Sequence, residues 1–483
     1  MRQRNKLPPS WILFFFFLLQ IAVGFLVIDG NTLSFDESIW HYIGRNWFRY
    51  GLTPYTGGVD NKSPFMFAIY GISDFLFGTN YWFPRFLGAI VQSIGIVILY
   101  KLVLKIAGNS TAMIAMSIYG LTLAWRSTGG KYISYTESYE ICLILAAFYY
   151  FHRDNENKSF FVSGSLAGLA VFFRLTGVFG ALALFLFAFQ KGKKNTLFFI
   201  CGLLLTSLVT IGVFALAGIP LKEFFYYGFF DNFGDGSVSN QSFLWKLETL
   251  VNALFLSDLA LFLPGIAGYL FIRKKLDLFA VWLLLAFIGL NIIGLYARQH
   301  FRDLLPPMCI MTAVAINYLV EKSQVPLRAV LLLVWISFFP KQIEPLVALK
   351  NLIKADASQQ KHFCEDTDSK VYDEDKRKLG EWIHNNSVIT ERVYVAGMSA
   401  VVQVYANRIS PAIYFNATQT KNAIQQTKED LSKNKPGFIL IPQSSDYTRV
   451  DATLRKFVDT MITGEYRYEG CQYNYAVYRL IAR

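Results

Sequence analysis

Apolar runs approaching the thickness of a bilayer follow one another through the first 340 residues, and no other feature restricts the fold as strongly. A helix needs about 20 residues to cross a hydrocarbon core of about 30 Å. The runs lie at 11–28, 83–104, 109–125, 138–151, 159–173, 175–190, 196–217, 253–272, 277–296, 303–320 and 326–340, eleven in all. Lipid offers backbone amides no hydrogen-bond partners, so such runs are expected as helices. The first run stays as a helix, because Phe25-Leu26-Val27-Ile28-Asp29 lacks a small-x-small cleavage pattern.

Charge divides the chain. Only 17% of its 483 residues are charged, against about a quarter in soluble proteins. Residues 1–340 hold 26 Lys/Arg and 17 Asp/Glu, whereas the 143 residues of 341–483 hold 20 and 17. The expected fold is a polytopic α-helical membrane module of about eleven spans, residues 1–340 with an external first loop at 31–82, followed by a small external α/β domain, 341–483.

With the N-terminus placed in the cytoplasm, the inner loops carry 15 basic residues, Lys101, Lys105 and Lys191 among them, against four acidic ones. The outer side keeps 11 basic and 13 acidic residues. Basic residues accumulate in cytoplasmic loops, so this orientation is preferred and the tail falls outside. The net charge of +12 is then mostly a topology signal and calls for no nucleic-acid partner.

The first external loop concentrates the chemistry. Ile39, Tyr42, Ile43, Trp47 and Tyr50 recur near helical spacing, which predicts an amphipathic helix lying in the membrane interface with its aromatic side down. Gly51 closes it, Pro54 and Gly57-Gly58 mark a turn, and a second short helix is expected around 64–77. Asp36 and Glu37 sit at the outer mouth of the first span. Taken alone, they read as helix-capping acids, with Ser34 or Asp36 as the cap.

The rest of the loop adds a second meaning. Asp36-Glu37, then Gly51-Leu52-Thr53-Pro54-Tyr55, then Asp60-Asn61-Lys62-Ser63-Pro64, then Arg85 resemble in order the first-loop signature of the GT-C glycosyltransferases that use polyprenyl-phosphate sugars. Protein O-mannosyltransferases and the lipid A aminoarabinose transferase are of that type. Ser134-Tyr135-Thr136-Glu137 resembles the family's second external acid. Gly164-Ser165-Leu166-Ala167-Gly168 with Phe173-Arg174 resembles another of its segments, although Gly-x-x-x-Gly also recurs in packed helices generally. Arg298-Gln299-His300-Phe301-Arg302, followed by Pro306-Pro307, resembles its Arg-His-Tyr-Pro outer-loop motif, with Phe301 in place of Tyr.

The resemblance implies an enzyme that transfers a sugar from a polyprenyl-phosphate donor to a lipid, glycan or protein acceptor on the outer face of a bacterial inner membrane. The chemistry needs a carboxylate to deprotonate the acceptor and cations to meet the charge on the departing lipid phosphate. Asp36 is the candidate base, with Glu37 supporting it or binding a metal, and Glu137 is the second acid. Glu140, three residues on, is the alternative acid or a partner for Lys131. Lys62 is the candidate donor-phosphate ligand, joined by Arg298 or Arg302. Arg85 is either a further phosphate ligand or an interfacial anchor. His300, Asp60 and Tyr55 are candidates for substrate or metal contact, His300 equally for a helix cap. No cofactor is certain. A divalent ion stays open, because Asn61 stands where some relatives carry a ligating Glu.

Two further segments complete the reading. The aromatic, polar stretch 218–252 is expected as a lipid-facing belt or, more sharply, as a mobile flap. The tail alternates helix and strand patterns, with strands at 392–396, 409–415, 436–441, 465–468 and 473–481. Its two cysteines, Cys364 and Cys471, are expected to pair in an oxidising compartment. A transporter or flippase for a lipid-linked glycan is the main alternative; acids gathered at the outer rim and the lack of an internal repeat weigh against it. A ligase acting on a lipid-linked glycan is the other; such enzymes depend on a large loop late in the chain.

Overall fold

The computed structural model describes residues 7–26, 32–130, 132–154, 156–230, 242–256, 258–273, 277–293, 296–339, 373–415, 422–443, 447 and 450–481. Its helices are, in order, α1 (Ser10–Leu26), α2 (Phe35–Tyr50), α3 (Pro64–Phe77), α4 (Trp82–Leu123), α5 (Thr136–Arg153), α6 (Asn157–Phe173), α7 (Gly177–Lys191), α8 (Lys193–Leu216) and α9 (Leu221–Phe225). They continue with α10 (Phe243–Leu256), α11 (Leu263–Arg273), α12 (Leu278–Ile293), α13 (Leu305–Ser323), α14 (Leu327–Phe338), α15 (Asp373–Asn386), α16 (Val401–Ala406), α17 (Ala423–Lys433) and α18 (Ala452–Glu465). The chain divides into two compact units: residues 1–28, 85–213 and 241–350 form the first, and residues 29–84, 214–240 and 351–483 the second.

In the first unit the helices follow the apolar runs, with two differences. The runs 83–104 and 109–125 are two arms of α4, joined at Gly108, whose φ of 82° no helix holds. The run 253–272 is broken. α10 ends at Leu256, Asp258 takes a left-handed φ of 60°, and a tight turn at Leu259–Phe262 precedes α11. Pro264 suits the restart, since proline is tolerated in a first helical turn, where its missing N–H would have no helical partner. Among the described residues, three segments are long and apolar enough to cross a membrane: Trp82–Leu123, Lys193–Leu216 and Arg298–Ser323. Six shorter apolar helices join them.

The core of this unit is aromatic. Trp125 stacks on Phe338 at 5.4 Å and donates its indole N–H to the Phe338 carbonyl at 3.1 Å. Phe148 stacks on Trp282 at 4.0 Å. Leu205, Leu208, Val209 and Leu216 on α8 stay exposed, as a lipid-facing helix requires. The Gly-x-x-x-Gly segment is a packing surface. A Cβ on Gly164 would stand 2.0 Å from the Phe199 carbonyl, and one on Gly168 3.0 Å from that of Leu203, so α6 and α8 cross backbone to backbone.

The second unit holds a four-stranded sheet in the order β1 (Val393–Val395), β2 (Phe438–Pro442), β4 (Tyr475–Leu480), β3 (Tyr466–Gln472). β1 and β2 are parallel, and the other pairings are antiparallel. β2 is covered on both faces, which explains its unbroken apolar run. Phe438 and Leu440 pack with Leu379 and Ile383 of α15 and Val402 of α16. Ile439 and Ile441 pack with Leu431 of α17 and Leu454 and Val458 of α18. The strand expected at 409–415 is only a bridge between Val59 and Tyr414.

The loop helices belong to this unit and correct the interfacial reading. Residues Glu37 to Asn46 of α2 are buried in protein, so the side carrying Ile39, Tyr42 and Ile43 is a packing face, while Phe48 and Tyr50 beyond it stay exposed. A Cβ on Gly44 would lie 2.3 Å from the Phe67 carbonyl, and one on Gly71 2.7 Å from the Gly44 carbonyl. Glycine at both positions lets α2 and α3 cross in contact. α2 also docks on the tail. Arg45 donates to the carbonyls of Val404 and Gln403 at 2.8 and 3.4 Å, and the Ser410 N–H donates to the Tyr42 hydroxyl at 2.8 Å.

The 218–252 stretch is lipid-facing only in part: Tyr226, Phe230, Leu244 and Trp245 are exposed, but the rings of Phe224 and Tyr227 pack inward. Phe224 is 1% exposed, and Tyr227 stacks on Tyr55 at 6.0 Å. Residues 231–241 of it lie outside the described residues, and α10 occupies its end. Cys364 also lies outside them, so its pairing with Cys471 stays a proposal.

Candidate functional site

Five of the residues singled out from sequence fall in the second unit. Asp36 is half-buried in the first turn of α2. Glu37 is fully buried and works as the sequence's plainer reading expected. It accepts the Ser34 N–H at 3.0 Å, one half of a capping box, and the Tyr70 hydroxyl at 3.4 Å. That fixes the start of α2 and leaves Asp36, one position earlier, at the helix's positive end.

The Asp60-Asn61-Lys62 turn follows between α2 and α3. Trp40 of α2 donates its indole N–H to Asp60 Oδ2 at 3.3 Å. Lys62 Nζ lies 3.8 Å from Asp60 Oδ1 and donates to the Asn61 side-chain carbonyl. Burial pushes the Asp60 carboxyl above its ordinary value, with Lys62 opposing the rise. The Lys62 side chain keeps 30% of its surface exposed, so its ammonium is anchored and reachable at once. Tyr55 takes a left-handed φ of 70°, rare for a bulky residue. Its hydroxyl donates to the Lys62 carbonyl at 2.7 Å, so the Gly-x-x-Pro-Tyr turn is tied to the lysine turn through one buried ring.

The other sequence candidates fall in the first unit. Glu137 opens α5, accepting the Thr136 hydroxyl at 3.0 Å and facing Arg174 Nη2 at 3.4 Å. Arg174 also makes a two-pronged pair with Asp303, Nη1 lying 2.9 and 2.8 Å from its two oxygens. Arg302 is buried and donates to the carbonyls of Thr128, Tyr132 and Gly129 at 3.0, 3.1 and 2.7 Å. Its fork is filled by these carbonyls and the Ser138 hydroxyl at 3.4 Å, so it shapes the approach to Glu137. Arg298 is exposed and His300 half-buried in the turn Arg298–Leu304. Arg85 is fully buried near the start of α4. Glu140 is buried one turn beyond Glu137.

Sequence reasoning missed Asp303 as the main partner of Arg174. The available signal was an acid at the head of an apolar span, beside an arginine already singled out. Among the described residues, no group of three or more His, Cys, Asp or Glu side chains has a geometry that could hold a metal ion. The Asn61 carbonyl, offered in place of a ligating Glu, is taken by Lys62, so no step is assigned to a divalent ion.

Residues 61–217 match the family described as dolichyl-phosphate-mannose-protein mannosyltransferase. The fold resembles that of ArnT from Cupriavidus metallidurans bound to undecaprenyl phosphate, at 12% identity, over 98% of each chain, with a TM-score of 0.65. It also resembles the oligosaccharyltransferase AglB from Archaeoglobus fulgidus, in complex with an inhibitory peptide and a dolichol-phosphate. That match has 12% identity, covers 90% of this chain and 69% of that one, and has a TM-score of 0.52. A mycobacterial arabinofuranosyltransferase, AftD, is similar at 13% identity and a TM-score of 0.51, over all of this chain and 42% of its own. A search of curated protein sequences finds no match. The chain therefore has the GT-C fold, as its first-loop motifs implied.

Proposed function

We propose that the protein is an integral-membrane glycosyltransferase moving a sugar from a polyprenyl-phosphate-sugar donor to a lipid, glycan or protein acceptor on the external membrane face. The observation that carries this reading is the end-to-end likeness of its fold to a protein crystallised with undecaprenyl phosphate. The Asp-Asn-Lys turn opening the family-matched segment supports it.

In this reading the Asp36 carboxylate takes the proton from the acceptor O–H or N–H as that atom attacks the sugar's anomeric carbon. The bond from that carbon to the phosphate oxygen breaks, and its electron pair leaves with the polyprenyl phosphate. The Lys62 ammonium meets the growing negative charge. Asp60, Asn61 and Tyr55 hold Lys62 in position, so they are positioning residues. Glu37, committed to its cap, keeps Asp36 in register. Glu137 and Arg298 are retained as acceptor-side acid and donor-side cation from the motif resemblance, while Arg302 is assigned to holding the carbonyls of Thr128, Gly129 and Tyr132.

The test is transfer in membranes from a polyprenyl-phosphate sugar. Asp36→Asn should lower turnover by roughly 10²–10⁴-fold, the usual worth of a general base, with donor binding retained. Lys62→Ala should weaken donor binding. Full activity in both variants sinks the assignment. Mass spectrometry of lipid-linked sugars in a deletion strain names the donor through the one that accumulates.

A further inference from the structure

The second unit contains a cavity that none of Asp36, Asp60 and Lys62 lines. Its volume is about 480 Å³, within the roughly 300–1,000 Å³ of small-molecule sites. Arg45 and Arg49 of α2, Asp74 of α3, Glu381 and His384 of α15, and Asn407 just after α16 bound it. We propose that it binds an uncharged saccharide through its hydroxyl groups, as a subsite for a glycan acceptor.

The character of the lining carries the proposal. A sugar hydroxyl donates and accepts at once, so a site for it must offer both functions. Guanidinium donors, carboxylate acceptors, an imidazole and an amide are gathered here. Arg49 is paired with Asp74, and Glu381 is paired with Arg377, whose Nη1 donates to it at 2.5 Å. Arg49 Nε donates to Asp74 Oδ2, and its Nη2 to the Asp74 carbonyl at 2.8 Å. Both carboxylates are thus held by arginines, and a neutral polyol meets their remaining acceptor lone pairs beside the guanidinium and amide donors.

The site is also built in advance. Arg45 is 2% exposed. Its fork is held by Val404 and Gln403, while its Nε has no hydrogen-bond partner among the described residues. The His384 Nδ1 sits 3.1 Å from the Ala406 carbonyl. With Nδ1 donating there, Nε2 is the ring nitrogen left to meet a ligand. Asn407 holds a left-handed φ of 52°, and its side-chain carbonyl accepts the Tyr50 hydroxyl at 3.2 Å. Tyr405 adds an aromatic ring to the wall. These residues come from the loop helices and from the tail, so α2 docking on the tail creates the cavity.

Binding itself does not depend on the transfer reading; only the word acceptor does. The experiment uses the full chain in detergent. Methyl glycosides of a hexose and a pentose, and a neutral disaccharide, are titrated by calorimetry and saturation-transfer NMR, with inorganic phosphate as competitor. Wild type should bind at least one glycoside, undisturbed by phosphate. Asn407→Gly, which keeps the backbone conformation, and Glu381→Gln should each weaken binding by about two- to tenfold, the worth of one net hydrogen bond, at an unchanged unfolding temperature. Absence of binding in wild type, variants that bind like wild type, or displacement by phosphate would overturn the proposal. In a transfer assay Asn407→Gly should raise KM for a glycan acceptor and leave kcat alone; an unchanged KM overturns the acceptor assignment. Glycoside binding by a chain that transfers nothing would sink the transfer reading and leave the cavity intact.

Discussion

His41 is a buried imidazole in a setting that resists charge. It is fully enclosed on α2, with Nε2 3.6 Å from Asp74 Oδ1. Loss of solvent drives its pKa down from 6.5 to about 4, with Arg45 and Arg49 adding to the drop and Asp74 opposing it. The unfolded chain takes up a proton below about pH 6.5 that the folded chain refuses until about pH 4. Stability should therefore fall as pH drops through that window, by about 3 kcal/mol at most. His41→Gln should flatten this part of the profile, measured as unfolding temperature in detergent from pH 7.5 to 4. An equal slope in both proteins would refute it. Arg174 makes the opposite case, a charge that burial tolerates because it is matched. Arg174→Met leaves Glu137 and Asp303 facing each other without their cation, and should cost about 3–5 kcal/mol. Adding Asp303→Asn should recover part of that loss, which a double-mutant cycle of unfolding temperatures would read. Neither partnership is legible locally: Arg174 and Asp303 stand 129 positions apart.

At the scale of elements, the clear sequence signals were those that act over one turn. Ser34 and Gly51 bound α2, Ser63 with Pro64 starts α3, and α15 runs from Asp373 to Asn386 as its spacing predicts. The packing partner of each element was not readable in this way. α2 has an aromatic stripe that suits a membrane interface and a protein core equally, and only docking on residues some 360 positions later settles which. The expected 409–415 strand failed similarly, since a strand needs a neighbour and Tyr414 finds only Val59. The Gly44–Gly71 crossing tests this level of organisation. Gly44→Ala forces a methyl into the Phe67 carbonyl and should destabilise the protein by about 1–3 kcal/mol. Gly464→Ala, in open space on α18, should be neutral or stabilising by up to about 1 kcal/mol. Equal unfolding temperatures for the two variants would contradict a contact crossing of α2 and α3.

For the whole molecule, the charge bias of the short loops makes the boldest claim, because it fixes which side every candidate residue faces. Fifteen basic residues fall on one side of the eleven expected spans, against four acidic ones. Translocating lysine and arginine is what the membrane resists, so reversing the orientation would expose that whole set to the wrong face. The apolar surface of α8 shows where lipid must lie, but not which end is outside. The sheet of the second unit gives no sign of it either. Reporter fusions decide the point. A C-terminal alkaline phosphatase fusion should be active and a green fluorescent protein fusion at the same site dark. Fusions after Gly192 and Gln324, in two loops assigned to the cytoplasm, should give the reverse. If the tail reports as cytoplasmic while Gly192 also does, the span count between them has the wrong parity, and the docking of α2 on the tail puts Asp36 and Lys62 on the tail's side. If every reporter is inverted, the basic loops have lost their meaning as an orientation signal, and an external transfer reaction loses its footing with them.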